Sequence, residues 1–359
     1  MLMEDRIPQS PPIIPAIDQI SDRPLWSVMI PTYNCINYIA VMLQSVLSQQ
    51  YDPANMQIEV IDDCSTDGDV EQLVQEIGLG KVSFFRQPYN RGSLRNFETC
   101  ILRSKGHYVH LLHGDDFILD GFYKEMDELF KTYPAAGAAF TNFKYCDHTS
   151  SIINIINKPL LKEQGIIPDF LITLASHQLV QPPAMVVKRS TYENLGSFYA
   201  VHFGEDWEMW TRISAQYPVA YSPKYLACYR VAHGIGISHN SFLSGQNIED
   251  IKQVINIIQG YLPGDKRKLL KKMANTYYSV YIIKIANGLL QTNTKAAFIQ
   301  VRGALGMGIS LPTLYWAIRF FLMYLVRYKQ AAHQIHIVRE FIHKKKLEHN
   351  FAKNHYTNI

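Results

Sequence analysis

The chain of 359 residues is 47% apolar and 18% charged, which excludes a chain dominated by disorder and provides material for a packed core. At roughly 100–200 residues per domain, this length predicts two domains or one large domain with an appendage. The five cysteines, at 35, 64, 100, 146 and 228, form no C-x-x-C pair and are odd in number. We interpret them as reduced thiols of a cytoplasmic protein, which argues against a zinc site and against a disulfide framework.

Charge is divided unevenly along the sequence. Residues 1–259 carry 19 Lys and Arg against 28 Asp and Glu, a net charge of −9, whereas residues 260–359 carry 16 against 3, a net charge of +13. The acidic part is a poor candidate for binding nucleic acid. The basic region could contact nucleic acid, an anionic membrane or an acidic protein, and we favour peripheral contact with the inner face of a membrane.

Residues 1–24 precede the first regular element and contain five prolines but no apolar core of a secretory signal. They are predicted to be a flexible leader. Beyond them, short apolar runs alternate with segments of helical spacing, as in a mostly parallel α/β sheet flanked by helices. The predicted strands are 26–31, 58–61, 82–85 and 108–112, and the predicted helices are 38–49, a helix capped at 65–67 and ending at 77, and 96–103.

The pattern loosens after residue 140 and becomes purely helical after residue 242. Strands are predicted at 184–187 and 225–231 around a helix at 205–215, and the later helical periods break near 263–264, 292–294 and 303–312. We therefore predict three parts, which are the leader 1–24, an α/β domain 25–243 and a helical basic region 244–359.

The most hydrophobic stretch of the chain, residues 303–326, contains Pro312 and Arg319. A membrane-spanning helix needs about 20 residues with few or no charges. The stretch could be a spanning helix, an interfacial helix or a buried core helix, and the sequence leaves these three alternatives open.

Two predicted strands end in paired aspartates, Asp62–Asp63 and Asp115–Asp116. In open α/β sheets the ligand lies beyond the carboxyl ends of the strands, so both pairs are expected at one crevice. Adjacent carboxylates repel unless a cation or hydrogen-bond donors compensate, and Mg²⁺ or Mn²⁺ takes oxygen ligands while bridging to phosphate. The alternative is that each pair forms only a solvated turn or a helix cap.

Several common nucleotide and nucleophile motifs are absent from the sequence. It has no G-x-G-x-x-G after the first strand, no G-x-x-x-x-G-K-[ST] loop and no G-x-S-x-G elbow. A bound nucleotide must therefore be held by carboxylates, a metal ion and basic side chains.

Five polar motifs follow one another along the predicted α/β domain. They are IPTYN at 30–34, VIDDCSTD at 60–67, NRGSLRN at 90–96, HGDD at 113–116 and GEDWEMW at 204–210. This series resembles the motifs of family 2 glycosyltransferases from about residue 26 to 240. The resemblance implies a GT-A fold, a nucleoside-diphosphate sugar donor, most simply a UDP-sugar, and inversion at the anomeric carbon. It also implies a saccharide or lipid-linked acceptor, as in surface polysaccharide assembly, and no nucleic-acid partner.

The resemblance further implies roles for individual residues of the donor site. Residues at the end of the first strand would lie beside the nucleobase, Asp63 with Asp62 behind it would accept a hydrogen bond from the base, and two arginines would lie near the diphosphate unless they form surface salt bridges. Asp115 would contact the ribose or a water molecule of the metal site, and Asp116 would hold Mn²⁺ or Mg²⁺. The first-strand residues are Pro31, Thr32 and Tyr33, and the arginines are Arg91 and Arg95.

Two histidines and an arginine are weaker candidates. His113 replaces the first aspartate of the Asp-x-Asp-Asp found in many relatives, and it could bind the metal, contact the donor sugar or be structural. The resemblance places Arg230 near the diphosphate or the sugar, and it makes His233 a further metal ligand in front of a glycine-containing loop. A lone histidine near a strand end is more often structural.

The resemblance makes Asp206 the predicted catalytic base, which would take the proton of the acceptor hydroxyl. The alternative is that Glu205 and Asp206 only favour a helix N-terminus through the helix dipole. Glu205 and Trp207 are candidates for contact with acceptor or donor sugar, although the spacing of Trp207 and Trp210 equally predicts core packing.

Two competing functions remain at this point. A sugar nucleotidyltransferase would need a basic glycine loop after the first strand, and residues 32–39 contain neither lysine nor glycine. A catalytically inactive sugar-nucleotide-binding protein would have no reason to keep Asp63, Asp116 and Asp206 together.

Overall fold

The computed structural model describes residues 6–17, 23–49, 51–154, 158–231 and 237–326. The chain divides into two compact units. One contains Met1–Asn240 and Glu249–Ala274, and the other contains Ser241–Ile248 and Asn275–Ile359. The first unit carries every site residue predicted from the sequence.

The first unit is built on one mixed sheet of ten strands. Their order is β3-β2-β1-β4-β9-β6-β10-β5, with β7 beside β6 and β8 beside β10. Strands β3, β2, β1 and β4 run parallel, β9 is antiparallel to both neighbours, and β6 and β10 are again parallel. The strands are β1 (Trp26–Thr32), β2 (Met56–Asp62), β3 (Ser83–Arg86), β4 (Tyr108–Leu111), β5 (Phe117–Ile118), β6 (Ala138–Cys146), β7 (Ile152–Asn154), β8 (Gly165–Ile166), β9 (Met185–Lys188) and β10 (Val219–Arg230).

Helices flank this sheet and continue into the basic region. All seven residues of β1 are buried, as expected for a central strand covered on both faces. The predicted α/β class is therefore confirmed. The helices are α1 (Ile36–Leu47), α2 (Val70–Gly78), α3 (Ser93–Arg103), α4 (Phe122–Thr132), α5 (Phe170–Leu174), α6 (Arg189–Leu195), α7 (Glu205–Gln216), α8 (Ile237–Ser244), α9 (Gln246–Ile258), α10 (Arg267–Leu289), α11 (Thr294–Met307) and α12 (Leu311–Leu325).

The N-cap of α2 differs from the prediction. The cap is Asp69, whose side chain accepts a hydrogen bond from the N–H of Gln72 at 3.0 Å. Ser65 instead donates to Asp62, and Asp67 accepts the N–H of Ile36 at the start of α1. The polar residues after β2 therefore tie together the loops at the sheet edge rather than capping their own helix.

The predicted flexible leader is wrong for the residues that the structure describes within it, 6–17. The side chain of Ile14 is 1% exposed and belongs to the main core. The carbonyl oxygens of Pro8 and Pro12 accept the N–H groups of Ala200 and Ser197, both at 2.9 Å. Proline has no N–H to donate but keeps its carbonyl acceptor, so a proline-rich segment can still be held by backbone hydrogen bonds.

The hydrophobic stretch at 303–326 is divided between two helices of the second unit. Ser310 caps α12 by accepting the N–H of Thr313 at 3.2 Å, and Pro312 lies in the first turn, where a missing N–H costs nothing. Within the described residues, no helix combines the length and apolar character that crossing a membrane requires. The basic residues after 326 lie outside the described part of the chain.

Candidate functional site

The candidate site lies where β1, β2 and β4 end at the same edge of the sheet. The N–H of Asp63 donates to the carbonyl of Thr32 at 2.9 Å, and the N–H of Gly114 donates to the carbonyl of Pro31 at 3.1 Å. A side chain at Gly114 would meet Thr32 at 2.6 Å, so the loops after β1 and β4 pack closely. The structure thus brings together the motifs at 30–34, 60–67 and 113–116.

Residues 31–33 place one side chain at the surface of this edge. Pro31 and Thr32 are buried, and the Thr32 hydroxyl donates to the carbonyl of Ile61 at 3.4 Å. Tyr33 is 50% exposed. Of the three residues predicted beside the nucleobase, Tyr33 is therefore the one whose ring is accessible to a ligand.

Asp62 supports the edge from below. It is completely buried, forms an ion pair with Arg86 at 2.9 Å and accepts the N–H of Ser65 at 3.1 Å. These partners occupy the carboxylate and hold the loop after β2. Asp62 therefore fits the supporting position behind Asp63 that was predicted for it.

Asp63 organises the loop that precedes α3. Its Oδ1 accepts the N–H of Arg91 at 2.7 Å, and its Oδ2 accepts the N–H of Gly92 at 2.8 Å and the side-chain amide of Asn90 at 2.9 Å. Burial raises the pKa of Asp63, while the two backbone donors oppose that rise. A carboxylate offers about four acceptor positions, so three protein donors leave room for one from a ligand.

The two predicted diphosphate arginines differ in their surroundings. Arg95 forms an ion pair with Glu98 at 2.8 Å, which is the alternative that the sequence left open. Arg91 is partly buried, and its Nε is buried without a hydrogen-bond partner among the described residues. Asn96, on the next turn, is structural, because its side chain donates to the carbonyl of Ile61 at 2.9 Å.

A candidate metal centre follows β4. Ligand atoms of His113, Asp115 and Asp116 lie within 4.8 Å of one another. Oδ1 of Asp116 accepts the N–H of Arg230 at 2.8 Å, whereas Oδ2 is buried and has no partner among the described residues. Burial, and then the charge of Asp115, raises the pKa of Asp116 well above its ordinary value. A divalent cation would bind the unpartnered oxygen and would favour the ionised form of Asp116, so these residues fit Mg²⁺ or Mn²⁺.

His113 completes this cluster as a neutral imidazole. Its ring stacks on Phe97 with centroids 5.1 Å apart and an interplanar angle of 13°. Burial lowers the pKa of His113, which keeps the ring uncharged near neutrality. A neutral imidazole nitrogen can bind a metal ion, so the substitution of histidine for the aspartate of many relatives retains a ligand.

Arg230 is buried and supports the turn at 113–116. This position differs from the predicted contact with the diphosphate or the sugar. Arg230 is 2% exposed, its Nε donates to the carbonyl of Asp115 at 2.7 Å, and its guanidinium lies 4.3 Å from the ring centre of Tyr38. The same guanidinium donates to Ser150 at 2.9 Å. His233 and the glycine-containing loop after it lie outside the described residues.

Asp206 is the second residue of α7. The helix begins directly after Gly204, whose φ of +90° favours glycine. Oδ1 of Asp206 accepts the N–H of Trp207 at 2.7 Å, and its Oδ2 accepts the side-chain amide of Gln178. The side chain is 8% exposed, and burial raises the pKa of Asp206 to about 7. Burial and the neighbouring Asp206 raise the pKa of Glu205 as well.

Gln178 is a site residue that the sequence analysis missed. It precedes Asp206 by 28 positions and lies in a loop without a motif, so no local signal points to it.

The prediction that Trp207 stacks on a sugar is not supported, because its side chain is 1% exposed and donates its indole N–H to the carbonyl of Leu174 at 2.7 Å. Trp210 is 3% exposed, so core packing accounts for both rings.

Curated relatives match parts of this chain. The chondroitin synthase of Escherichia coli is 28% identical over 59% of this chain and 29% of its own length. The Escherichia coli β-1,3-glucosyltransferase WfaP, named for UDP-Glc and α-D-GlcNAc-diphosphoundecaprenol, is 23% identical over 61% of this chain and 81% of its own. The match spans 53% of an uncharacterised Haemophilus influenzae glycosyltransferase and 29% of the chondroitin synthase, so the chain covers about half or less of the length of these relatives.

Solved structures share the fold at low sequence identity. TarS of Staphylococcus aureus, solved with UDP-GlcNAc, has a TM-score of 0.53 and 14% identity over 79% of this chain and 90% of its own. The mannosyltransferase PcManGT of Pyrobaculum calidifontis, solved with GDP-Man and Mn²⁺, has a TM-score of 0.53 and 17% identity over 89% and 90%. These likenesses support the predicted GT-A type of fold with a helical C-terminal region.

Residues 27–189 match the family described as glycosyl transferase family 2. The match begins in β1 and includes Asp63 and the His113–Asp116 turn, and it ends before Asp206. Together with the relatives and the shared fold, it confirms the resemblance seen in the five motifs. Residues 27–189 of this chain therefore belong to glycosyl transferase family 2.

Proposed function

We propose that this protein is an inverting, metal-dependent glycosyltransferase that uses a nucleoside-diphosphate sugar, with a UDP-sugar as the favoured donor. The observation that carries the proposal is the buried Oδ2 of Asp116, which has no hydrogen-bond partner in the described part of the chain and lies beside His113 and Asp115. A buried carboxylate oxygen without a donor is costly unless a cation binds it. The names of WfaP and of the TarS complex, which contain UDP-Glc and UDP-GlcNAc, support UDP as the nucleotide.

The chemistry divides between two carboxylate groups. His113, Asp115 and Asp116 would hold Mn²⁺ or Mg²⁺, which when bound neutralises the charge of the leaving diphosphate. Asp206 accepts the proton of the acceptor hydroxyl as that oxygen attacks the anomeric carbon from the face opposite the diphosphate. A single displacement inverts the centre and needs one base. Asp63 uses its remaining acceptor position for an N–H of the nucleobase.

The acceptor that we propose is a saccharide, either free or linked to a lipid diphosphate, in surface polysaccharide assembly. WfaP supports this class, because its name specifies a diphosphoundecaprenol-linked acceptor. An acceptor of this kind lies at the inner face of a membrane, where a cytoplasmic enzyme can reach it. The acceptor and pathway rest on analogy with relatives.

Donor binding is the direct test of this function. A nucleotide sugar at 100 times its dissociation constant adds about 2.7 kcal/mol of apparent stability to the folded protein. We expect UDP-sugars with Mn²⁺ to raise the melting temperature more than GDP- or dTDP-sugars do. ATP with Mn²⁺ serves as the control nucleotide. If no nucleotide sugar raises the melting temperature above that control, the proposed function is wrong.

We also propose that the basic region contacts an anionic membrane surface. Along α12, Thr313, Ala317 and Phe320 are buried, while a row of apolar side chains is 44–85% exposed. Exposed apolar side chains on a chain segment with a net charge of +13 match an anionic lipid surface in both polarity and sign. The exposed residues are Leu311, Leu314, Tyr315, Ile318, Leu322 and Leu325.

Sedimentation with lipid vesicles tests this contact. We expect the protein to co-sediment with vesicles containing phosphatidylserine at low salt and to be released at high salt, since salt screens surface charge. Leu322→Glu should weaken sedimentation several-fold because it places a charge on the apolar face of α12. Leu79→Glu, at an exposed leucine of the first unit, is the matched control. Equal binding to neutral and anionic vesicles would contradict the proposal.

A further inference from the structure

Residues 6–14 form a segment, here named the strap, that is fixed on the surface of the first unit. It is held at two points by the backbone hydrogen bonds from Ala200 and Ser197, and at its end by the buried side chain of Ile14. Its position relative to the sheet edge is therefore determined by the fold.

The strap carries Arg6 to the loop that Asp63 organises. The guanidinium of Arg6 donates to Oδ1 of Asn90, whose amide in turn donates to Oδ2 of Asp63 at 2.9 Å. Arg6 also packs on Gly92, where an added Cβ would lie 3.0 Å from its Nε. A glycine with a φ of +89° at this point provides both the turn and the space for the guanidinium.

The guanidinium of Arg6 has more N–H donors than the described residues around it accept. A guanidinium has five N–H donors, and one acceptor among the described residues, Asn90, takes a hydrogen bond from it. The N-terminus of α3, which begins at Ser93, adds further positive potential beside it. Asp63 is a carboxylate beside this positive potential, and the charge of Arg6 favours the ionised form of Asp63. The remaining donors of Arg6 therefore lie next to the loop that Asp63 holds, where we propose that the nucleotide binds.

We propose that Arg6 is a nucleotide-binding residue, and that the strap completes the site for the nucleobase. This inference rests on the proposed function. Asp63 offers an acceptor and Arg6 offers donors side by side, which complements a base that presents an N–H next to a carbonyl oxygen. Uracil, thymine and guanine have such an edge. At the same two positions cytosine and adenine have an acceptor nitrogen in place of the N–H and an amino group in place of the carbonyl oxygen, so that in the same pose they would face Asp63 and Arg6 with like groups.

Calorimetric titration with UDP and CDP in the presence of Mn²⁺ tests this assignment on the full chain. We expect wild type to prefer UDP, and Arg6→Ala to weaken UDP binding by at least 10-fold, the cost of one charge-assisted hydrogen bond. The weak binding of CDP should change less than twofold, so that the preference for UDP falls. Arg6→Gln keeps a side chain that can donate to Asn90 and should lose UDP affinity similarly.

The matched control is Arg23→Ala. Arg23 lies on the same N-terminal segment but donates to the carbonyl oxygens of Lys105 and Gly106, away from Asp63. It should bind UDP as wild type does. If wild type binds no nucleotide, the proposed function itself fails. If wild type binds UDP and both Arg6 variants bind it equally well or more tightly, the role of the strap is overturned while the proposed function stands.

Discussion

Replacement of Asp206 by asparagine is expected to lower sugar transfer by about 10²–10⁴-fold, because an amide cannot take the proton of the acceptor hydroxyl. This corresponds to roughly 3–5 kcal/mol of activation free energy. Nucleotide binding should change little, since Asp63 and the His113–Asp116 cluster are untouched. Transfer rates measured with saturating donor, beside calorimetric UDP titration, separate the two effects.

The pH profile provides the second readout for Asp206. Burial raises its pKa to about 7, and only the ionised carboxylate can accept a proton. The kcat/KM of wild type should therefore fall about tenfold per unit as the pH drops below this pKa, and it should level off above it. Because Glu205 and Asp206 interact, the profile reports the pair. In Asp206→Asn this acidic limb should disappear.

Glu205→Gln is the matched control for Asp206→Asn, since it removes the neighbouring charge and leaves the proposed base. It should retain most transfer activity, and the acidic limb should stay near the same pH, because burial and not the charge of Glu205 raises the pKa of Asp206. Full activity of Asp206→Asn would show that the base is elsewhere. Loss of UDP binding in Asp206→Asn would make Asp206 a structural residue.

Removal of the metal is the other change with a large expected effect. EDTA should abolish sugar transfer, because without the cation the negative charge on the leaving diphosphate is not neutralised. Added Mn²⁺ or Mg²⁺ should restore the transfer. Asp116→Asn should lose transfer even at saturating donor. Titration of Mn²⁺ into the UDP complex, followed by electron paramagnetic resonance, should show at least 10-fold weaker binding in this variant.

Stability measurements distinguish a lost metal ligand from a damaged fold. Burial raises the pKa of Asp116, so the ionised carboxylate destabilises the folded protein when no metal is bound. Asp116→Asn without metal should therefore melt at or above the wild-type temperature while failing to bind Mn²⁺. Asp120→Asn, at an exposed aspartate nearby, should behave as wild type. Full transfer by wild type in chelator would exclude the metal role.

Much of the fold could be predicted where apolar runs are continuous. Strands β1 to β4 follow such runs, and their ends fall within two residues of the predicted limits. Strand β6 was missed because Thr141, Asn142 and Lys144 interrupt its apolar run, although most of it is buried between β9 and β10. Helix α4 was also not predicted, although its buried residues recur at helical spacing.

The site could be predicted where its residues are adjacent in the sequence and form a motif. The motif at 113–116 forms a cluster of possible metal ligands, and that at 204–210 opens α7 as expected. Contacts between distant segments have no local signature. Gln178 reaches Asp206 across 28 residues, and Arg6 reaches Asn90 across 84. Composition alone also misjudged the strap, because a single buried side chain and two carbonyl groups are enough to hold it.

The long-range bond from Arg230 to Asp116 sets the order in which this protein can mature during synthesis. The two residues are 114 positions apart, so the strands β1 to β4 leave the ribosome well before the metal turn receives its support. Until β10 emerges, β6 also lacks its parallel neighbour and exposes an edge to other chains. The turn at 113–116 therefore receives this support only after β10 has joined the sheet, and the proposed metal site cannot be complete before that step.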